Sequence, residues 1–166
     1  MEIFQASVPQ DFEEVNKLTY EYLVWTKTKM KEQCKEDLDI ESMLAYSMSE
    51  LKTYMPPEGR LLLAKIDSSV VGVAFLRRID IKTCEIKRMF VQPGYRGKRI
   101  GYNLLTNLIS SARDSGYSEV LLDSGKFMSH AHDLYRTFGF KDIEKYPQSE
   151  VGENYETHMV FMSLAL

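Results

Sequence analysis

Cysteine is nearly absent: Cys34 and Cys84 are the only two in 166 residues. Cys34 sits in a polar segment and Cys84 in a strand-like one, so the fold does not rest on a disulfide framework and a reducing compartment suits it. Cys84 reads as core filling rather than a nucleophile. Histidine is sparse too. His130 and His132 lie two apart on a helix and point away from each other, so no metal is expected. Long apolar runs are missing: Val70 to Leu76 falls far short of a bilayer span, and the start MEIFQ carries an acid at position 2 and no signal-peptide stretch. A cytoplasmic protein with no membrane partner is expected. There is no excess of positive charge either, with 21 Lys and Arg against 24 Asp and Glu, a formal charge of -3. Nucleic acid is therefore not an expected partner, and an anionic ligand must be met locally, at the one basic concentration, Arg96 to Arg99.

What is present is 44% hydrophobic content, enough for a single domain over residues 1–166 with a buried core. Met1 to Ser7 reads as a first strand. Asp11-x-x-Glu14 has the spacing of a capping box, opening a helix with Phe12, Val15, Leu18 and Tyr22 on one face and an end near Trp25. Lysine-rich Thr26 to Asp37 reads as helix end and mobile linker. A second helix is predicted from Asp39 to Tyr54, broken by Pro56-Pro57. Its methionines are core rather than cofactor contacts. Arg60 to Ile66 and Val70 to Arg77, joined by Asp67-Ser68-Ser69, predict an antiparallel hairpin.

The strand Cys84 to Val91 follows, with Cys84, Ile86, Arg88 and Phe90 expected on one side and Glu85, Lys87, Met89 and Val91 on the other. Pro93 and Gly94 stop it. Beyond the loop, Ile100, Leu104, Leu105, Leu108, Ile109 and Ala112 recur at helical spacing, so a helix begins near Lys98. Its first amides have no intrahelical acceptor and carry the positive end of the dipole, and Arg96, Gly97, Lys98, Arg99 and Gly101 gather there, which makes an anion site. Gly116 closes the helix. Glu119 to Asp123 is a short buried strand whose connection implies a parallel crossover. His130 to Phe138 is a short helix, Gly139-Phe140 turns into another strand, Tyr146 to Glu156 is a polar loop and Thr157 to Ala165 is the last strand.

Neither common nucleotide-binding glycine pattern fits the loop. It resembles the acyl-CoA pyrophosphate loop of the GNAT family of N-acetyltransferases, whose pattern Arg/Gln-x-x-Gly-x-Gly/Ala follows a strand ending in V-x-P. Arg96, Gly97, Lys98, Arg99, Ile100 and Gly101 fill it behind Val91-Gln92-Pro93. Arg99 stands where the family has its central glycine. Further segments resemble a bacterial-type branch of the family: Pro56-Pro57-Glu58-Gly59-Arg60 leading into LLLA, the strand CEIKRMFV, the run LLDSGKFM, and Ala131-x-x-x-Tyr135-x-x-x-Gly139-Phe140.

The resemblance implies an α/β fold with a mixed, mostly antiparallel sheet, one splayed parallel strand pair and flanking helices. It implies acetyl-CoA as cosubstrate, with Arg96 to Gly101 at the pyrophosphate. Backbone groups of Met89, Phe90 and Val91 would meet the pantetheine arm and the thioester carbonyl, with Ser124, Lys126 and Ser129 near the same arm. Tyr135, by composition a core aromatic, becomes the proton donor to the departing thiolate. A phenol of ordinary pKa near 10 stays protonated at neutral pH. Glu85, by composition a surface strand residue, becomes the candidate base that takes a proton from the substrate ammonium through water.

The implied activity is direct transfer of an acetyl group from thioester to a primary amine in a ternary complex. The alternative is a non-catalytic acyl-CoA-binding or sensing module. The acceptor, a small-molecule or peptide amine, is not specified. Its walls are expected among Tyr20, Tyr22, Trp25, Tyr46, Tyr146, Glu150, Glu153, Tyr155 and Glu156. The acidic loop suits a cationic amine, and solvated loop charge is the other reading of it. A homodimer is compatible with all of this.

Overall fold

The element pattern follows from alternating and helical apolar spacing, but two helices depart from it. In a computed structural model describing residues 1–35 and 37–166, the first strand is β1 (Glu2–Gln5) and the first helix is α1 (Phe12–Cys34). Instead of ending near Trp25, α1 continues because the extra turns find tertiary partners. Met30 is buried, and Lys27 Nζ donates to the Leu38 carbonyl at 2.9 Å and pairs with Asp37 at 3.0 Å. Lys35, at φ 58°, ends the helix in a left-handed turn. Glu36, within the expected linker, lies outside the described residues. The capping box does not form: Asp11 turns back to accept from the Ser7 amide at 2.7 Å.

The second helix, α2 (Ile40–Ser49), opens on an Asp39 cap and tightens into a 3-10 turn at Leu51–Tyr54. Pro56-Pro57 bounds that turn, since proline disfavours helical geometry in the residue before it and Met55 is extended at ψ 152°. The remaining elements are β2 (Arg60–Ile66), β3 (Ser69–Arg78), β4 (Thr83–Val91), α3 (Ile100–Asp114), β5 (Glu119–Gly125), α4 (Ser129–Thr137), β6 (Lys141–Ile143), α5 (Glu153–Glu156) and β7 (Met159–Ala165).

The strands form one sheet in the order β1-β2-β3-β4-β5-β7-β6. Among the described residues only β4 and β5 pair in parallel, and every other strand pair is antiparallel. The apolar stripe of α3, from Ile100 to Ala112, packs on one face with Ala64, Leu76, Ile86 and Leu122. Val15 and Leu18 of α1, with Leu51 and Tyr54, cover Leu61, Leu63, Val73 and Phe75 on the other. Among the described residues no helix is long and apolar enough to cross a membrane.

Two irregularities position the site. The parallel ladder joins only Thr83–Ile86 to Glu119–Leu122, so beyond Ile86 the two strands part. At that point β4 carries a bulge: Lys87 opposes Phe75 and Phe90 opposes Val73, which leaves one extra residue on β4, and Arg88 has φ 49°. The extra residue inverts the expected alternation. Met89 and Val91 join Cys84 and Ile86 on the α3 side, while Phe90 crosses to the face of α1.

Candidate active site

Two cavities open where β4 leaves β5. The first, of about 650 Å³, runs from the start of α3 along Met89, Phe90 and Val91 to Phe127 and Met128. Arg96, Gly97, Arg99, Ile100 and Gly101 line it. Arg99 is left-handed at φ 60° and Gly97 has φ 78°, so the turn into α3 has positive-φ backbone at the position where arginine stands in place of the family's glycine. The Asn103 amide is the first to be satisfied within the helix, by the Arg99 carbonyl at 3.0 Å. The amides of Ile100, Gly101 and Tyr102 therefore lack intrahelical acceptors. An added Cβ at Gly97 meets nothing within 4 Å, so the loop's outer side is open. This donor set fits a pyrophosphate.

Three side chains behave differently from expectation. Arg96 folds back: its Nε donates to the Val91 carbonyl at 3.0 Å and its guanidinium lies 4.9 Å from the Trp25 ring centroid. Lys98 leans over Tyr95 and does not line the cavity. Ser129 is exposed and also off the wall; its neighbours on α4, His130, Ala131 and Leu134, are among the lining residues that sequence reasoning missed. Their helical spacing was the available signal. Lys126 donates to the Thr157 carbonyl at 2.7 Å, and Ser124 sits 3.0 Å from His132 Nε2. Neither lines this cavity.

The second cavity, of about 430 Å³, is walled by α1, α2, the bulge, the end of β5 and the loop after β6. It shares Phe127 and Met128 with the first. Of the expected acceptor-wall residues, Tyr22, Glu150 and Tyr155 line it. Trp25 lines the first cavity instead. Tyr20 and Tyr46 are exposed, while Glu153 and Glu156 face another surface hollow. Leu23, Thr26 and Met30 of α1, Leu38 before α2 and Met43 on it add to the wall.

Behind that wall lies a buried charge cluster. Arg77 Nε donates to Glu85 at 2.6 Å and Nη1 to Glu150 at 2.5 Å. Lys87 lies 3.1 Å from Asp123, 3.4 Å from Glu85 and 3.5 Å from Glu150. The Tyr146 hydroxyl, expected on the acceptor wall, is buried and donates to Glu85 at 2.5 Å. Burial pulls the Lys87 pKa down, but Asp123, Glu85 and Glu150 together outweigh it and hold the ammonium above its ordinary value. Arg77 is held up in the same way against its own burial by Glu85 and Glu150. For Glu150, burial pulls upward and Lys87 and Arg77 win, leaving the carboxyl below its ordinary value.

This cluster corrects the picture of Glu85. Its side chain is 0% exposed and lines neither cavity, because it faces the Arg77, Lys87 and Tyr146 side of the sheet. The carboxylates on the wall of the second cavity are Asp123, Glu150 and Asp39, the last of them engaged as the cap of α2. Tyr135 is also buried, packed on Phe140 with ring centroids 5.8 Å apart, and lines neither cavity. Burial, then the nearby Tyr22 and Asp123, push its phenol well above the ordinary value, so it is fully protonated at neutral pH. Among the described residues no cluster of three metal-ligating side chains occurs.

A model of the acetyltransferase (GNAT) family matches residues 16–140. An uncharacterized N-acetyltransferase of Schizosaccharomyces pombe is 27% identical over 166 residues, covering 99% of this chain and 94% of that protein. An IAA acetyltransferase of Azospirillum brasilense is 40% identical over 95 residues, which is 56% of this chain and 61% of that one. Among solved structures, the PaiA N-acetyltransferase of Thermoplasma acidophilum, in complex with coenzyme A, superposes with a TM-score of 0.76 at 22% identity over 99% of this chain and 98% of that one.

Proposed function

We propose how this chain, which belongs to the acetyltransferase (GNAT) family and is an acetyl-CoA-dependent N-acetyltransferase, divides its reaction between the two cavities. The observation that carries the reading is their meeting at Phe127 and Met128, where β4 and β5 part. Acetyl-CoA supplies an acetyl group activated as a thioester. The free amides of Ile100, Gly101 and Tyr102 hold its pyrophosphate, supported by Arg96, Gly97 and Arg99, which line the same cavity. The edge of β4 from Met89 to Val91, unpaired on the β5 side, accepts the pantetheine as an added strand. A backbone N–H of Met89 or Phe90 faces the thioester carbonyl oxygen.

The acceptor, a small-molecule or peptide amine, occupies the cavity of about 430 Å³. Asp123, on its wall, takes the proton that the ammonium must lose before attack. Glu85 acts one step back, as a positioning residue that shares Lys87 and Tyr146 with Asp123. The amine nitrogen bonds to the acetyl carbon, the carbon–sulfur bond breaks, the Tyr135 phenol gives its proton to the sulfur, and the second proton that the nitrogen sheds on becoming an amide passes through solvent to restore the phenol. Strands from Glu2 to Ala165 share one sheet, which supports a single domain over residues 1–166. The buried free thiol of Cys84 suits a reducing, cytoplasmic setting. A homodimer is not required to complete either cavity.

The test is incubation with acetyl-CoA and a panel of amines, amino acids and peptides, reading released thiol and confirming the acetylated product by mass. A protein that binds CoA by titration yet acetylates nothing in a broad panel would be an acyl-CoA-binding module instead.

A further inference from the structure

The acceptor cavity contains buried polar groups that the protein itself leaves unsatisfied. Among the described residues, the buried side-chain polar atoms without a hydrogen-bond partner are Glu14 Oε2, Thr26 Oγ1 and Arg88 Nε. Thr26 and Arg88 line this one cavity. Other helical threonines return their hydroxyls to the carbonyl four residues back, as Thr19 does at 2.7 Å and Thr28 at 2.9 Å. Thr26 does not. Arg88 makes no ion pair among the described residues, although Glu85, Asp123 and Glu150 all engage the neighbouring Lys87. A buried guanidinium donor without an acceptor is unfavourable by itself, so its retention calls for a partner from outside the chain.

The backbone explains how it comes to be there. The bulge gives Arg88 its φ of 49° and brings Lys87 and Arg88, adjacent in sequence, to the wall of one cavity, which regular alternation forbids. The rest of the cavity carries the opposite charge. The cluster sets two cations, Arg77 and Lys87, against three carboxylates, Glu85, Asp123 and Glu150, a surplus of one negative charge. Asp123 and Glu150 of this cluster face the cavity beside Lys87, Asp39 adds a third carboxylate from the cap of α2, and Leu23, Met30, Leu38 and Met43 make an apolar wall.

We infer that the acceptor is a zwitterionic free amino acid with an apolar side chain, its carboxylate held by Arg88 and Thr26 and its ammonium by the Asp123 and Glu150 side. This rests on the acetyltransferase reading of the same cavity. Arg88 offers a planar fork of donors that matches a carboxylate, and Thr26 adds a hydroxyl donor. The ammonium side delivers the nitrogen toward Asp123, and the apolar wall takes the side chain. A peptide N-terminus lacks the adjacent carboxylate and leaves Arg88 unpaired.

The experiment compares leucine with leucinamide, a leucyl dipeptide and isoamylamine, which keep the side chain and the amine but lack the adjacent carboxylate. Thiol release with acetyl-CoA gives kcat/KM, and calorimetric titration of leucine gives binding with and without CoA. The expected result is a preference for leucine over isoamylamine of at least about 10²-fold, as for a site whose buried polar group is left unpaired by the wrong ligand. In Arg88→Met the ratio falls toward one and leucine binding is lost; Arg88→Lys restores part of both. Equal or better turnover of isoamylamine, leucinamide or the dipeptide by the wild type overturns the assignment without any variant. So does the absence of leucine binding and acetylation in a protein that binds CoA. Failure to bind CoA instead refutes the acetyltransferase reading, and the leucine titration of the free protein still decides the role of Arg88.

Discussion

Replacing Glu85 by alanine removes a carboxylate that touches both cations of the buried cluster and accepts from the Tyr146 hydroxyl. Glu85 is 0% exposed, and Arg77 and Lys87 are 14% and 9% exposed, so water cannot replace the lost partner fully. Removing one member of a buried ion pair destabilises by about 3–5 kcal/mol. Glu150 still faces Arg77 and Asp123 still faces Lys87, and the cluster becomes charge-balanced at two against two. The low end, about 3 kcal/mol, is therefore expected, which corresponds to a fall in Tm of about 6–12 °C for a chain of this size. Glu85→Gln keeps an acceptor for Tyr146 and Arg77 and should lose only about 1–2 kcal/mol. Denaturant unfolding of the three proteins measures these differences. Turnover of folded Glu85→Gln should fall by less than about tenfold, because no Glu85 atom reaches the acceptor. A Gln variant of wild-type stability that loses about 10²–10⁴ in kcat would make Glu85 the base and refute the argument from burial.

Tyr135→Phe should leave unfolding and CoA affinity nearly unchanged and lower kcat by about 10²–10⁴ with KM constant, the signature of a contact made in the transition state. Full kcat in that variant would remove Tyr135 from the reaction. Gly101→Asp sets a carboxylate among the free amides of α3, 3.7 Å from Leu134 at its Cβ, so it should fold and bind CoA at least about tenfold more weakly by titration. Glu150 has a depressed folded pKa, so its stabilisation is fully present above the ordinary carboxylate value and is lost as pH falls through its lower folded value. Tm should drop as pH falls below about 4, with a shallower slope in Glu150→Gln; equal slopes would show that the ion pairs of Glu150 contribute nothing. Lys87 has the opposite sign: its contribution is full below the ordinary lysine value and is lost as pH rises through its higher folded value.

The sequence alone determined the local parts of this protein. The apolar spacing from Ile100 to Ala112, the stop at Pro93-Gly94 and the glycine-basic run before α3 depend on neighbours in the chain, and they marked out the loop proposed for the pyrophosphate and the order of strands and helices. Tertiary structure decided what depends on distant partners. The face that Phe90 presents is set by the register of β4 against β3, where one extra residue at Arg88 inverts the alternation. The length of α1 is set by what Met30 and Lys27 can reach across the fold. Glu85 changes from an exposed strand residue to an enclosed ion because Arg77, Lys87 and Tyr146 converge on it, Tyr146 from 61 positions away. Spacing in a sequence reports which face of one element a side chain shares with its near neighbours. Burial and charge pairing are settled only when separate elements pack, and there the acceptor cavity and the unpaired Arg88 arise.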